Sequence, residues 1–291
     1  MIGGMLFGLG SAIGFGFADL LGAISSRRIG VTTTLFVIQV TDVLAMAALL
    51  LTPLPGDGAL EAGAGARAAI AVSGVLGTVS YFAFYRALQL GPIAVVSPVF
   101  AAYAAVAVIL SVVLHGERPS ATASAGVVLT VVGVVLASAR EDGPRRGAGS
   151  WGGIPWALVA MLAWGVATYV IGLYAQRTGW FLPTFGTRVV EFAGVGVAIL
   201  FLQLRGVALA APRGTSVAIP VVSGLADALA VSLFARASER GLVSIAAAVS
   251  ATFPLVVVAG GLALFRERPS TRQWMGVLAT VAGLVLLGIG R

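Results

Sequence analysis

The sequence contains no cysteine and no lysine, and it has a single histidine, His115. Without cysteine the chain forms no disulfides, has no thiolate metal site and has no thiol for catalysis. Without lysine it cannot carry the phosphate-binding loop GxxxxGK[ST], so this motif cannot supply ATP hydrolysis. His115 has no second histidine with which to share a metal ion. We therefore expect no metal, no cofactor and no enzymatic activity.

Charge is also scarce. Charged residues make up 10% of the 291-residue sequence and hydrophobic residues 59%, whereas a soluble protein carries about 25% charged residues. Lipid is the natural solvent for such a chain, and we expect a multi-pass protein of the cytoplasmic (inner) membrane. The formal charge is +7, and all 18 basic residues are arginine. This charge suits loops beside anionic lipid headgroups, and the absence of a basic cluster interleaved with aromatics argues against a nucleic-acid partner.

Long hydrophobic runs account for most of the chain. A helix needs about 20 mostly apolar residues to span a bilayer. We predict ten spans, at residues 2–24, 33–52, 68–88, 91–114, 120–139, 152–173, 183–204, 217–236, 241–265 and 270–289. Gly91-Pro92 predicts a tight joint between the third and fourth spans, because glycine ends helices and proline begins them. The polar segment 140–150, REDGPRRGAGS, separates five spans from five spans.

The two groups of five spans are related by an internal repeat. Residues 86–139 align with residues 236–289 at a constant offset of 150, without a gap. The early spans align at an offset of 149, which places Asp42 over Glu191. Two copies of an odd number of spans cross the bilayer in opposite senses, as in many transporters. We predict an all-α integral membrane protein of ten transmembrane helices, as two inverted five-helix repeats (1–139 and 151–291) around a central cavity.

Ionisable groups inside membrane spans are costly, so each is a candidate functional residue. The predicted spans contain five: Asp19, Asp42, Arg188, Glu191 and Asp227. They are candidates for proton coupling or for recognition of a charged substrate. Structural alternatives remain open for four of these positions. Arg188 and Glu191, three residues apart, favour an ion pair on one helix face. Asp42, with Gln39 one turn away, would hydrogen-bond a neighbouring helix, and Asp19 would lie at the membrane interface.

Aromatic side chains form a second group of candidates, for binding a solute. They are Tyr81, Tyr85, Tyr103, Trp164 and Phe253. They would line a cavity enclosed by the first, third, fourth, sixth, eighth and ninth spans, and packing against lipid or core is the alternative. Pro98 and Pro254 fall within the fourth and ninth predicted spans, where proline removes helical hydrogen bonds. We consider them candidate gating hinges, with a static kink as the alternative.

Short motifs recur in both halves: Arg86-Ala87-Leu88, Gly91-Pro92, Ser97-Pro98 and His115-Gly116-Glu117-Arg118-Pro119, then Arg236-Ala237, Gly241 and Arg266-Glu267-Arg268-Pro269. With these motifs the chain resembles the drug/metabolite transporter superfamily, as a member with two EamA domains. It departs from that pattern at Arg266, which stands where the first half has Gly116. The resemblance implies a basket of ten helices, with a central cavity shaped mainly by the third, fourth, eighth and ninth.

The resemblance also implies secondary transport, often export of amino acids, metabolites or drugs. We therefore expect an alternating-access exporter of a small solute, with membrane lipid around it and protons as the candidate coupling ion. The chain would act as a monomer or a homodimer. A lipid or lipid-linked-sugar flippase on the same fold is one alternative, and a lateral opening between helices would favour it. A non-transporting membrane scaffold is another, and a collapsed centre with Asp42 and Asp227 both paired would favour that.

Overall fold

The computed structural model describes residues 2–54, 60–115, 120–137, 152–206, 217–237, 250, 252–265 and 269–289. These residues form α-helices and short connections, without a strand in the part described. The helices are α1 (Ile2–Ile29), α2 (Val31–Ala48), α3 (Ala64–Leu90), α4 (Ile93–Ala101), α5 (Tyr103–His115), α6 (Ala121–Ala137), α7 (Gly153–Thr178), α8 (Phe181–Leu204), α9 (Ala218–Ala237), α10 (Pro254–Leu264) and α11 (Thr271–Ile289). A 3₁₀ turn, Leu49–Leu51, continues α2.

Each of the ten predicted spans contains helix, and α4 and α5 share the fourth span. Six helices (α1, α2, α3, α7, α8 and α9) are long and apolar enough to cross a membrane by length and composition. The first span ends at Ile29 rather than at residue 24. The predicted linker, 140–150, and Gly241, where the ninth predicted span begins, lie outside the described residues.

The outward faces of the helices are apolar. Leu44 of α2 is 64% exposed, and Val197 and Leu204 of α8 are 67% and 78% exposed. In water such a surface would be unfavourable, because each exposed apolar side chain forgoes the free energy of burial. In lipid it is the expected surface, since helices satisfy their own backbone hydrogen bonds and present hydrocarbon outward. The fold is therefore that of a multi-pass membrane protein.

Glycine sets three of the joints between helices. Gly30, between α1 and α2, has a φ of 85°, and Gly179, between α7 and α8, has a φ of 77°. Side chains other than glycine are strained in this region. At the third joint α3 ends at Leu90 and α4 begins at Ile93, so that Gly91-Pro92 connects them as the sequence predicts. These short connections place consecutive helices side by side.

Equivalent helices of the two halves make equivalent contacts across the junction: α1 packs on α9 as α7 packs on α3, and α2 packs on α9 as α8 packs on α3. One hydrogen bond between helices occurs at both of these junctions. The Ser73 hydroxyl donates to the carbonyl of Ala167 at 3.2 Å, and the Ser223 hydroxyl donates to the carbonyl of Ala18 at 2.7 Å. The two serines occupy equivalent repeat positions, and so do the two alanines. The contacts between the halves therefore follow an approximate twofold relation.

Close helix contacts obey the same relation. A Cβ added to Gly16 of α1 would lie 3.1 Å from the carbonyl oxygen of Phe253, and one added to Gly165 of α7 would lie 3.0 Å from that of Tyr103. The glycines are repeat mates, and the two aromatic residues are repeat mates. Glycine permits this close approach of helix backbones, as is common between helices in membranes.

The fourth and ninth spans each contain a turn at the same repeat position. α4 gives way to α5 at Ala102, whose backbone makes a 3₁₀ hydrogen bond to Val99. Before α10 the chain turns at residues 252–253, where the Phe253 amide donates to the carbonyl of Ser250 at 3.0 Å. Tyr103, the first residue of α5, is the repeat mate of Phe253. Broken helices within a membrane leave backbone groups available at mid-depth, which is where transporters bind their ligands.

Candidate functional site

Four ionisable side chains from three helices meet where the two halves join. Asp42 comes from α2, Arg188 and Glu191 from α8, and Asp227 from α9, and all four are buried. α2, α8 and α9 pack against one another, which brings these positions together. Arg188, a large and charged side chain, is only 2% exposed. We call these four residues the charge cluster.

Arg188 is the centre of the charge cluster. Its Nε lies 2.9 Å from Oδ2 of Asp42, its Nη1 lies 2.7 Å from Oε2 of Glu191, and its Nη2 lies 3.0 Å from Oδ2 of Asp227. The contact with Glu191 also has hydrogen-bond angles, whereas Nη2 and the Asp42 oxygens meet the distance for an ion pair only. A guanidinium carries five N–H donors in one plane, so it can serve several carboxylates at once.

The charge cluster is unbalanced. One guanidinium faces three carboxyl groups, so electrical neutrality requires two bound protons. Unit charges about 4 Å apart interact by about 4 kcal/mol at an effective dielectric constant of about 20. Burial makes an uncompensated charge costly. An arrangement of this kind is chemically suited to bind and release protons as the distances to Arg188 change.

Tyr81 of α3 connects the charge cluster to a group of aromatic side chains. Its hydroxyl accepts a hydrogen bond from Nη1 of Arg188 and donates one to Oδ2 of Asp227 at 3.2 Å. The Tyr81 ring centroid lies 5.5 Å from the guanidinium carbon of Arg188 and 5.5 Å from the ring of Trp164. Any change of charge at Arg188 or Asp227 therefore acts directly on an aromatic side chain.

Gly77 of α3 makes room for Glu191. A Cβ added to Gly77 would overlap Oε1 of Glu191 and lie 2.9 Å from its Cδ. The repeat mate of Gly77 is Asp227, at an offset of 150, and the mate of Glu191 is Asp42. Glu191 therefore lies against a glycine, whereas its repeat mate Asp42 lies beside the carboxyl group of Asp227. The presence of Asp227 in place of a glycine adds the third acidic group to the charge cluster.

Several buried polar atoms beside the charge cluster have no hydrogen-bond partner within the described residues. The clearest is Gln39, whose amide nitrogen and oxygen are both unpartnered; it lies beside Glu191 but without hydrogen-bonding geometry. Oδ1 of Asp42 and Oε1 of Glu191 also lack a hydrogen-bond partner within the described residues. Buried polar groups are normally hydrogen-bonded, so water or a ligand would complete this network.

Six aromatic rings next to the charge cluster form a closed series of contacts, which we call the aromatic cluster. The centroid distances are Tyr81–Trp164 5.5 Å, Trp164–Tyr103 6.5 Å, Tyr103–Phe100 5.6 Å, Phe100–Phe84 4.2 Å, Phe84–Tyr85 5.8 Å and Tyr85–Tyr81 6.3 Å. Phe253 joins the series through Phe100 at 6.4 Å. Such edge-to-face and offset arrangements are favourable beyond simple burial.

The structure brings all five predicted aromatic residues together, but it gives them different surroundings. Tyr81, Tyr103 and Trp164 are partly exposed. Tyr85 and Phe253 are only 2% and 3% exposed and pack within the core. Sequence reasoning missed two members of the aromatic cluster, Phe84 and Phe100. Nothing in the sequence distinguishes them from the many other phenylalanines.

Asp19 lies beside the aromatic cluster rather than within the charge cluster. It is partly exposed, and it interacts electrostatically with Asp227, Tyr85 and Tyr103. One turn further along α1, a Cβ on Gly22 would overlap the Tyr85 ring. Within the described part of the chain, Asp19 has no ion pair and no hydrogen bond from its carboxyl group. It is therefore a carboxyl group at an aromatic surface.

The two predicted hinge prolines differ. Pro98 lies inside α4, where it removes a helical hydrogen bond. Pro254 lies in the first turn of α10, where the backbone N–H groups have no helical partner in any case. Pro254 therefore begins the described helix α10, and its role as a gating hinge stays a prediction, as does that of Pro98. Pro98 lies close to the turn at Ala102, and Pro254 directly follows the turn at residues 252–253.

The helical bundle has an apolar outer surface, an internal sequence repeat and buried charged groups at its centre. These features are typical of a multi-pass membrane protein of the transporter type. The model of the EamA-like transporter family matches residues 2–139 and 151–289. The chain therefore belongs to the EamA-like transporter family, which implies a membrane transporter with a small-molecule solute.

The comparison with solved structures agrees with this fold. A crystal structure of another protein superposes with a TM-score of 0.66 at 18% sequence identity, over 97% of this chain and 95% of that chain. Identity this low supports the fold alone. Among curated proteins, none matches the sequence significantly.

Proposed function

We propose that this chain is a proton-coupled secondary transporter of the inner membrane, which exports a small metabolite, amino acid or drug-like solute by alternating access. The observation that carries the proposal is the charge cluster. One buried guanidinium is shared by three carboxyl groups and is hydrogen-bonded to Tyr81 of the aromatic cluster. Proton binding at the charge cluster and solute binding at the aromatic cluster would thus act on the same side chain.

The charge cluster also spans the junction between the halves. Asp42 and Tyr81 belong to the first half, and Arg188 and Asp227 belong to the second. Protonation of Asp42 removes its attraction to Arg188 and so lowers the free energy needed to separate the halves. A ligand shifts a conformational equilibrium by its difference in affinity for the two states. A proton that binds more tightly when the halves are apart therefore drives that rearrangement.

Alternating access needs two arrangements of similar energy. Five spans in each half would place the halves in opposite senses in the bilayer. The exchanged packing of α1 on α9 and of α7 on α3 supports this proposal. The helix contacts at Gly16 and at Gly165 are equivalent. A rocking motion of one half against the other would therefore loosen the contacts of one glycine and tighten those of the other. The two arrangements would face opposite sides of the membrane.

The test uses purified protein in proteoliposomes. A solute is first selected from amino acids, nucleosides and cationic drugs by the rise in melting temperature that it causes, since ligands that bind the folded state stabilise it. Wild-type protein should accumulate this solute under a pH gradient and exchange it without one. Asp42→Asn should lose the gradient-driven accumulation and keep the exchange. Glu61→Gln, an exposed position outside both clusters, is the control. Gradient-driven accumulation at the wild-type level by Asp42→Asn would remove Asp42 from the coupling.

A non-transporting membrane scaffold is the second candidate, and one observation favours it. Asp42 and Asp227 are both paired with Arg188, as in a purely structural network. The partial exposure of Tyr103 and Trp164 supports the transporter instead, because a collapsed scaffold centre would bury them. Absence of exchange for every solute that stabilises the protein would favour the scaffold.

A further inference from the structure

One face of α1 carries an acidic group into an aromatic environment. Phe15, Asp19 and Gly22 follow at spacings of four and three, so they share a helix face. Phe15 packs edge-on against Phe253 at 6.4 Å, and Gly22 lies directly against the ring of Tyr85. Asp19, between them on this face, interacts electrostatically with both Tyr85 and Tyr103. Asp19 therefore lies on the face of α1 that meets the aromatic cluster.

The charges of the site favour a cationic ligand. Within the described residues, Arg188 is the one basic side chain of the site, and three carboxyl groups already share it. The charged neighbour of Asp19 is Asp227, another carboxyl group. Asp19 is therefore an acidic group without a counterion in the described part of the protein. An anionic solute would meet repulsion here, whereas a cation would supply the missing charge.

The aromatic surface independently favours an organic cation. Tyr81, Tyr103 and Trp164 retain partial exposure, and their ring faces attract cations while their area binds apolar groups. One buried polar group beside the charge cluster also lacks a hydrogen-bond partner among the described residues: the amide of Gln39, which is 0% exposed. This amide can donate hydrogen bonds to a ligand or its water, or accept them.

We propose that the site binds an organic cation with an aromatic or other apolar body. The ammonium group lies against Asp19, and the body lies against Tyr103 and Trp164. Only the claim that this cation is transported rests on the proposed function. Binding of the cation is a separate claim, and it can be measured on the purified protein.

The experiment compares three probes with the same indole body in equilibrium dialysis at neutral pH. Tryptamine carries an ammonium group, tryptophol carries a hydroxyl group in its place, and indole-3-propionate carries a carboxylate. Wild-type protein should bind tryptamine at least tenfold more tightly than either of the others, which corresponds to about 1.4 kcal/mol. Equal or weaker binding of tryptamine, or no binding at millimolar concentrations, would overturn the proposal.

Variants locate the charge that recognises the probe. Asp19→Asn should reduce the affinity for tryptamine about tenfold and leave that for tryptophol unchanged, and Asp19→Glu should restore part of the preference. The matched control, Glu61→Gln, removes a carboxylate at an exposed position and should change neither affinity. An equal loss for tryptamine and tryptophol in Asp19→Asn would show that Asp19 supports the fold rather than recognising charge. If Asp19→Asn fails to fold, the preference of the wild type between probes still decides.

The outcome separates this proposal from the proposed function. Preferential binding of tryptamine with no flux in proteoliposomes would uphold the cation site and overturn transport. Flux of a neutral or anionic solute, with no preference for tryptamine, would uphold transport and overturn the cation site.

Discussion

Gly77→Ala is a one-carbon change that should disrupt the charge cluster. The added Cβ would overlap Oε1 of Glu191 and lie 2.9 Å from its Cδ and 3.2 Å from its Cγ. Both residues are buried: Gly77 lies on the buried face of α3, and Glu191 is 0% exposed. The carboxyl group must therefore move away. Because Oε2 of Glu191 lies 2.7 Å from Arg188, this movement lengthens the shortest ion pair of the cluster.

Two opposing effects decide the magnitude. Alanine is more favourable than glycine inside a helix by about 0.5–1 kcal/mol. Breaking a buried ion pair costs about 3–5 kcal/mol. The loss exceeds the gain, so Gly77→Ala should lower the free energy of unfolding by about 2–4 kcal/mol. A change of 1 kcal/mol shifts the melting temperature by about 2–4 °C in proteins of about 150–250 residues, and we expect a drop of roughly 4 °C or more.

The measurement is the melting temperature of purified protein in detergent, followed by intrinsic fluorescence. Gly196→Ala is the matched control: it lies on α8, the helix of Glu191, and a Cβ there meets nothing within 4 Å. It should leave the melting temperature unchanged or raise it. Glu191→Asp, with one carbon fewer, should restore part of the loss when combined with Gly77→Ala. A Gly77→Ala protein that melts at or above the wild-type temperature would refute the reasoning.

Two further predictions concern the junction of the halves. Ser73→Ala and Ser223→Ala each remove one of two equivalent hydrogen bonds and should lower the free energy of unfolding by a similar amount, about 1 kcal/mol each, in thermal melts; a large difference between the two would argue against the twofold relation. Tyr81→Phe keeps the ring but removes the hydroxyl that bridges Arg188 and Asp227, so it should weaken pH-gradient-driven accumulation more than solute binding, as flux and dialysis would measure. Equal effects on both would place Tyr81 only in the solute site.

Local features of the site could be predicted from the sequence, whereas its assembly could not. The spacing of Arg188 and Glu191 fixes them on one face of a helix, and their ion pair follows from helix geometry alone. That Asp42 and Asp227 also reach Arg188 depends on which helices are neighbours, and a single sequence does not state this. One signal was available, because Gly77 aligns with Asp227 at the repeat offset. When a glycine in one repeat aligns with an acidic residue in the other, the position is expected to be crowded and to differ between the two halves.

The interruption of the fourth span shows a second limit. Ala101-Ala102-Tyr103 is apolar and has no proline or glycine, so these three residues give no sign of the break, and the candidate hinge Pro98 lies four positions before Ala102, inside α4. The break appears only where Tyr103 meets Gly165 of another helix. Its equivalent at Phe253 precedes a proline, so the sequence gives a partial indication of the turn at residues 252–253.

The packing of equivalent helices across the junction bears on how a single arginine can lie at the centre of the molecule. In a symmetric pair of identical five-helix chains, every side chain on the axis would occur twice, so an arginine opposite three acids would be impossible. Joining the copies into one polypeptide lets Gln39 diverge from Arg188 and Gly77 from Asp227. The two-proton requirement of such a centre thus depends on two unequal copies joined in one chain, and no assembly of separate identical halves could reproduce it.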